Sequence, residues 1–529
     1  MSAARVTRIR ALRVWLDRFG HLSMSETQRF LTLSIFIGIF AGLLVVCFHI
    51  AIDFVSWNSL GALAGRYRFG RLIAPTAGAA IAAILVLRFF PFARGSGVNQ
   101  TKAAVYVSDG FVPWSTVAGK FLACSIAIGS GNSLGPEDPS LQMGAGIASL
   151  LGRLFGLQRE TMRLIAPVGA AAGIAAAFNT PITGVLFVME EVLAAWNAAV
   201  LGSIVLAAVA AVVVTRWFLG NAPLFRVPAF ELTHPSELLV YAAIGAVSGL
   251  LSALFIRLIR ALHQRFEKLP QWRVYALPVC AGFFVGAVGL WFPEVMGAGY
   301  DAINNALHGR FTWQLLLCLG IAKLVVTLFC FSSGTPGGMF APALFVGAMI
   351  GGGFGGLAHR FWPFPSSSSE AYVLVGMGTF FAGVFRAPMT SIFMVFEVSA
   401  SYVIILPVMI ANMVSYFLSR QLQPVPFFTM LARQEGVDLP SGEEKRAQPA
   451  LLVEDAMRPV QPDTWDGKTP HLYPDLPLDA AMRLLGSHRT LPVVSRAHPD
   501  ALLGVLTLED VHRAYGIEEH QPNSSSALT

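Results

Sequence analysis

Three short strings rich in glycine and proline interrupt long apolar segments and carry the residues best suited to chemistry. They are Gly95-Ser96-Gly97, Gly135-Pro136-Glu137-Asp138-Pro139 and Gly338-Met339-Phe340-Ala341-Pro342. A proline just inside a helix start, as Pro139 and Pro342 are expected to be, favours a helix N-terminus. Unpaired N–H groups at the N-termini of broken helices attract anions, and at membrane depth they are tolerated only beside a cavity. The strings therefore predict an anion site.

Glu137 is the main candidate for a gating and proton-transfer group. An ionised carboxylate at a helix N-terminus inside an anion pathway occupies the place of an anion, and it must leave or become neutral before anions pass. The alternative is a buried structural glutamate. The adjacent Asp138 adds a second carboxyl group, which we expect to modulate Glu137 or share a proton with it.

Long apolar segments must position these groups. The 529-residue chain is 55% hydrophobic and 13% charged, with a mean hydropathy of +0.61, which excludes a soluble enzyme. The segments Phe30–Ile52, Ala198–Thr215, Leu238–Ile256 and Val274–Pro293 are long enough to cross or nearly cross a hydrocarbon core. We predict an all-α polytopic protein whose partner is the lipid bilayer.

The predicted membrane body, residues 30–433, repeats itself. An offset of 207 places Gly38 on Gly245, and an offset of 203 places Lys120 on Lys323. Arginines precede the first apolar run but follow its counterpart in the second half, so the positive-inside rule predicts opposite directions of crossing. The halves, 30–218 and 219–433, should therefore form an inverted repeat around a site at mid-membrane. The matched lysines act either as structural partners, the reading we favour, or as a field that attracts anions.

The repeat also separates two neighbouring glutamates. Glu190 is matched by Glu397, which favours a shared structural role such as bonding to backbone donors, whereas Glu191 is matched by Val398. The repeat does not require an acidic residue at the position of Glu191. We therefore expect Glu191 to be functional. The alternative is a glutamate at the cytoplasmic interface with access to water.

Charge separates the membrane body from its flanks. The 1–29 arm is basic and predicted to be cytoplasmic, and about half of the acidic residues follow Arg433. We predict a linker at 434–450, a small α/β domain at 451–517 and a disordered tail at 518–529. The predicted strands of the α/β domain are Leu491–Val494 and Leu502–Leu506, and its predicted helices are Leu478–Leu485 and Leu508–Tyr515.

The sequence does not support nucleic-acid binding, metal binding or intramembrane hydrolysis. The net charge of +6 comes from basic residues at segment ends and in the arm, which argues against nucleic acid as a partner. The five cysteines lack metal-ligand spacing and are predicted to be small core residues, with no metal site. The sequence contains no HExxH string and no evident pairing of a nucleophile with a base, either of which would suggest an intramembrane hydrolase. We therefore expect that the protein is not an enzyme.

The three strings, in this order, resemble the selectivity motifs of the CLC family of chloride channels and proton-coupled chloride transporters, and the resemblance extends over about Phe30–Arg433. It implies a CLC-type bundle with broken helices and a homodimer with one pathway per subunit. It also implies a multi-pass protein of a bacterial inner membrane, with both termini cytoplasmic. Exchange of chloride for protons is the leading expectation, and a passive voltage- or pH-gated chloride channel is the alternative. Nitrate and fluoride remain open as the anion.

The resemblance also implies roles for single residues. Chloride would contact the Ser96 hydroxyl and backbone amides near Gly97, Met339 and Phe340, although the hydroxyl could instead cap its own helix. Phe428 stands where the family has a tyrosine hydroxyl. Glu137 would be the external gating glutamate and Glu191 the internal proton-transfer residue. Asn99, Pro136 and Asp138 depart from the family pattern.

The C-terminal segment resembles a single CBS motif. Thr507 and Asp510 match the position that holds the phosphate and ribose of a nucleotide in many such domains. The resemblance implies an adenine nucleotide as a ligand, and we expect no other cofactor. The alternatives are a motif paired across a homodimer and a purely structural remnant.

Overall fold

The computed structural model describes residues 26–64, 69–195, 198–225, 227, 234–361, 369–437, 439, 451–460, 470–486, 488–496, 498 and 501–515. Most of the predicted basic arm, residues 440–450 of the predicted linker and the predicted tail at 518–529 lie outside these ranges. The chain divides into two units, Met1–Gly442 and Glu443–Thr529, and each is described by itself.

Helices follow one another through the first half of the larger unit. They are α1 (Glu26–Ser56), α2 (Gly70–Ile84), α3 (Val98–Tyr106), α4 (Trp114–Gly129), α5 (Glu137–Leu154), α6 (Arg159–Phe178), α7 (Pro181–Phe187) and α8 (Ala198–Leu219). A π-helical turn, Val188–Val192, follows α7 and carries both glutamates singled out by the repeat. The apolar runs that begin at Phe30 and Ala198 thus lie in α1 and α8, which confirms them as helices.

The second half repeats this order. Its helices are α9 (Glu237–Glu267), α10 (Gln271–Gly289), α11 (Tyr300–Leu307), α12 (Trp313–Ser332), α13 (Phe340–Phe361), α14 (Ser369–Phe385), α15 (Pro388–Ser399), α16 (Ile405–Leu422) and α17 (Phe427–Gln434). The run predicted over Val274–Pro293 ends early, at Gly289, because Pro293 begins a separate 3-10 turn.

Packing follows the repeat as well. Helix α1 packs against α8, and α9 packs in the same way against α16. A Cβ on Gly38 would lie 2.7 Å from the Ala210 Cβ, and one on Gly245 would lie 2.6 Å from the Ala411 carbonyl oxygen. Matched glycines therefore allow the long helices to approach closely in both halves.

Among the described residues, seven helices are long and apolar enough to cross a membrane. The prediction that the cysteines are core residues holds for Cys124 and Cys330. It is wrong for Cys47, Cys280 and Cys318, which are exposed. A helix face that turns toward lipid is as apolar as one that turns inward, so the sequence does not distinguish the two.

The smaller unit has a three-stranded antiparallel sheet in the order β1-β3-β2. Its elements are α18 (Val453–Ala456), β1 (Arg458–Pro459), α19 (Leu478–Leu485), β2 (Thr490–Val494), β3 (Leu502–Thr507) and α20 (Leu508–Ala514). In the β2–β3 register Leu491 faces Leu506, and both side chains are buried with Leu478 in one small core. The predicted strands and helices of this segment are confirmed.

Candidate functional site

The N-termini of α5 and α13 meet. The Gly135 amide donates to the Gly338 carbonyl, and the Gly338 amide donates back, both at 2.8 Å. These glycines are matched in the repeat, so the bridge relates the two halves by a local two-fold symmetry. The helices begin at Glu137 and Phe340, which places Pro139 and Pro342 in the first turns as predicted.

The third string reaches the same place. Gly97 has a φ of +118°, and a Cβ there would lie 2.7 Å from the Asp138 carbonyl oxygen, so glycine permits this contact. The start of α3 therefore lies against the first turn of α5. The Gly97 amide, an expected chloride donor, bonds instead to the Gln100 Oε1 at 3.0 Å.

Glu137 is fully buried between the two helix starts. The Tyr300 hydroxyl, at the first residue of α11, donates to its Oε1. The carboxylate also lies against the Cα of Gly135 and faces the Ala341 amide in the first turn of α13. Sequence reasoning missed Tyr300, because no pattern links it to a glutamate 163 residues earlier in the chain.

Asp138 is equally buried and turns toward the second half. Its Oδ2 accepts a hydrogen bond of 2.8 Å from the Met339 amide, immediately before α13. In this conformation the Met339 amide, an expected chloride donor, is therefore occupied. An acidic side chain already satisfies the donor, as helix N-termini favour.

The matched lysines support matched loops. Lys120 Nζ donates to the carbonyl oxygen of Gly95, beside Ser96. Lys323 Nζ donates to the carbonyl oxygens of Val295, at 2.9 Å, and Gly297, at 2.6 Å. Gly95 and Gly297 correspond at an offset of 202, so the two lysines make matched contacts, which supports the structural role favoured for them.

A cavity of about 560 Å³ opens beside Ser96. Ser96 and Asn99 line it from the first half, and Ser332 and Thr335 line it from the second. Ser96 itself is buried, with 3% of its surface exposed. Both halves therefore build this cavity beside Ser96, and its lining mixes polar with apolar side chains.

Phe340 and Phe428 lie in one aromatic cluster. Their ring centroids are 6.4 Å apart, and Phe385 contacts both, at 4.8 Å from Phe340 and 5.4 Å from Phe428. Phe187 packs edge-on to Phe340 at 4.9 Å. The rings come from α7, α13, α14 and α17, so this cluster holds the broken helices around the site.

Glu191 is held by a residue that the sequence did not single out. Lys102 Nζ lies 2.7 Å from its Oε1, and the side chains are 1% and 9% exposed. Lys102 is on α3, about 6 Å along the helix axis from Val98. One short helix thus connects the Ser96 loop to Glu191.

Glu190 and Glu397 make reciprocal contacts between the halves. Glu190 Oε2 accepts from the Thr390 amide at 2.9 Å and from its hydroxyl at 2.8 Å. Glu397 Oε2 accepts from the Thr183 amide at 2.7 Å and from its hydroxyl at 2.6 Å. Each glutamate therefore caps a helix of the opposite half, which confirms the predicted bonding to backbone donors.

The membrane body matches a known protein family. A family model described as "Voltage gated chloride channel" matches residues 78–420. The chain belongs to the CLC family. It is accordingly a multi-pass integral membrane protein with a mostly helical CLC-type fold.

Relatives in the CLC family cover most of the chain. It is 32% identical over 417 residues to the H(+)/Cl(-) exchange transporter ClcA of Vibrio cholerae, covering 76% of this chain and 88% of that protein. The ClcA protein of Citrobacter koseri is 32% identical over 412 residues, with 75% and 87% covered. A slow cyanobacterial Cl-/H+ antiporter of known structure aligns with a TM-score of 0.72 at 24% identity, covering 78% of this chain and 99% of that one.

In the smaller unit, Thr507 and Asp510 bond to each other at the start of α20. Asp510 Oδ2 accepts from the Thr507 hydroxyl at 2.6 Å and from its amide at 3.1 Å, and Arg458 Nε lies 2.6 Å from Asp510 Oδ1. Burial raises the pKa of Asp510, but these bonds more than offset burial and leave the pKa below its usual value. In this conformation the two side chains form a helix cap.

Proposed function

We propose that this CLC protein exchanges chloride for protons across the membrane. The observation that carries the proposal is the buried Glu137 carboxylate between the N-termini of α5 and α13. An ionised carboxylate there takes the place of an anion, and a proton must neutralise it or an anion must displace it. The ClcA relatives, named as H(+)/Cl(-) exchange transporters, support the same activity.

Each residue then has a distinct role. Glu137 is the outer gate and proton carrier, and Glu191 is the inner relay. Chloride enters through the cavity and binds the Ser96 hydroxyl and the Phe340 amide, since neutral donors hold a monovalent anion without trapping it. The Met339 amide joins only when Asp138 releases it, and the Gly97 amide only when Gln100 does. Phe428 bounds the site with an apolar ring.

The proposal extends to the topology of the protein, its assembly and its C-terminal unit. The halves insert in opposite directions, both termini are cytoplasmic, and two copies form a homodimer in a bacterial inner membrane with one pathway each. Residues 451–517 form a CBS-like module. An adenine nucleotide would bind there only if the cap between Thr507 and Asp510 opened.

A passive voltage- or pH-gated chloride channel is the second candidate, and two observations favour it. The proposed relay, Glu191, is engaged in a buried ion pair with Lys102. Phe428 also lacks a hydroxyl that would hold the anion. In this alternative Glu137 still gates the pathway, but no proton crosses with each cycle.

Purified protein in liposomes separates the candidates. With a chloride gradient and no initial proton gradient, exchange drives protons uphill, and a pH electrode records the change. We expect Glu137→Ala to abolish proton movement and Glu191→Ala to reduce it while chloride still flows. If the unmodified protein carries chloride without a proton signal, exchange is excluded and the passive channel is the remaining candidate.

A further inference from the structure

The matched segments around the starts of α3 and α11 each carry a hydroxyl group, but at different positions. In the first half Lys120 holds Gly95, and the hydroxyl is on Ser96. In the second half Lys323 holds Gly297, and the hydroxyl is on Tyr300. At an offset of 202, which aligns Gly95 and Gly97 with Gly297 and Gly299, Ala298 corresponds to Ser96 and Tyr300 corresponds to Val98. The repeat therefore supplies one short hydroxyl beside the cavity, on Ser96, and one long hydroxyl against Glu137, on Tyr300.

Tyr300 is fixed in place from several directions. Gly299, just before it, has a φ of +87°, and a Cβ there would lie 2.5 Å from the Phe345 ring. The Tyr300 ring packs edge-on against Phe225, with centroids 5.9 Å apart. Its hydroxyl donates to Glu137 Oε1. A rigid loop thus delivers one donor to the carboxylate.

We propose that Tyr300 is a latch that holds the Glu137 carboxylate in the anion pathway and must release it in each transport cycle. The inference rests on the proposed function of Glu137 as the gate. The anion competes with the carboxylate for the same place, so a bond that holds the carboxylate lowers the apparent affinity for the anion. Tyr300 acts through Glu137 and is a positioning residue.

The decisive variant is Tyr300→Phe, which removes the hydroxyl and keeps the ring against Phe225. A hydrogen bond to a charged group is strong enough that its loss should lower the chloride concentration for half-maximal flux by about tenfold. The maximal flux should change much less. Chloride binding to the detergent-solubilised protein, measured by calorimetry, should tighten by a similar factor.

Two controls isolate the latch. Tyr372→Phe removes another buried hydroxyl that donates to a carboxylate, that of Glu237 at 2.6 Å, and should leave the apparent chloride affinity unchanged. In a Glu137→Ala background, Tyr300→Phe should have no further effect, because the carboxylate it holds is gone. Size-exclusion profiles verify that every variant is folded.

The outcomes distinguish the latch from the proposed function. An unchanged chloride affinity in Tyr300→Phe, or an equal change with and without Glu137, overturns the latch and leaves Glu137 as a gate. If Glu137→Ala retains full proton coupling, Glu137 is not the gate and proton carrier, and the role on which the latch rests fails. A tighter affinity that depends on Glu137 supports the latch and the role of Glu137 as the gate.

Discussion

Lys102 Nζ and Glu191 Oε1 lie 2.7 Å apart between α3 and the π-helical turn after α7, and both side chains are buried. Buried opposite charges compensate each other, and removal of one partner leaves the other without compensation. The pair also fixes the proposed inner relay to the helix that follows the Ser96 loop. A proton that reaches Glu191 therefore has to weaken this contact.

Lys102→Met should destabilise the protein by about 3–5 kcal/mol, because it leaves the Glu191 carboxylate buried without its cation. Adding Glu191→Gln should recover a large part of that loss. Thermal unfolding of the two single variants and the double variant measures the coupling. Losses that simply add would show that the ion pair contributes nothing beyond its separate members.

Asp138→Asn should tighten chloride binding severalfold. The asparagine oxygen still accepts from the Met339 amide, but the negative charge that competes with an anion is gone. Calorimetric titration with chloride measures the change. The matched control is Asp138→Glu, which keeps the charge and should not tighten binding. Equal affinities in the unmodified protein and the asparagine variant would contradict competition by charge.

Glu190→Gln and Glu397→Gln should cost similar amounts of stability, about 1–2 kcal/mol each, since both carboxylates make the same bonds to the opposite half. Thermal unfolding gives the losses, and flux in liposomes gives the coupling. We expect the ratio of protons to chloride to stay unchanged in both variants. A selective loss of proton movement in Glu190→Gln would instead assign Glu190 to the proton path.

The smaller unit should lose stability in acid through Asp510. Its folded pKa lies below the unfolded value of about 3.9, so the stabilisation is present above pH 4 and is lost as the pH falls through the folded pKa. Protection factors for the amides of β3 and α20, from hydrogen exchange of the full chain, measure it. They should exceed those of Asp510→Asn at pH 6 and converge with them in stronger acid. A constant difference across this range would rule out Asp510 as the source.

Local signals predicted much of the fold. The prolines at 139 and 342 placed the starts of α5 and α13, and the shared role of Glu190 and Glu397 in bonding to backbone donors followed from their positions in the repeat. The contact partners of individual side chains could not be predicted from the sequence. Lys102 contacts a residue 89 positions away, and Tyr300 contacts one 163 positions away, so only the folded chain brings them together. Nothing in the sequence indicated that Asp138 would satisfy the Met339 amide.

The two hydrogen bonds between Gly135 and Gly338 join the two halves of the membrane body. Glu190 and Glu397 add reciprocal hydrogen bonds between the halves. A rocking motion that parted the halves here would expose several backbone groups without partners, at a large cost inside a membrane. We therefore expect transport in this chain to rely on movements of side chains, while these two helix ends stay joined.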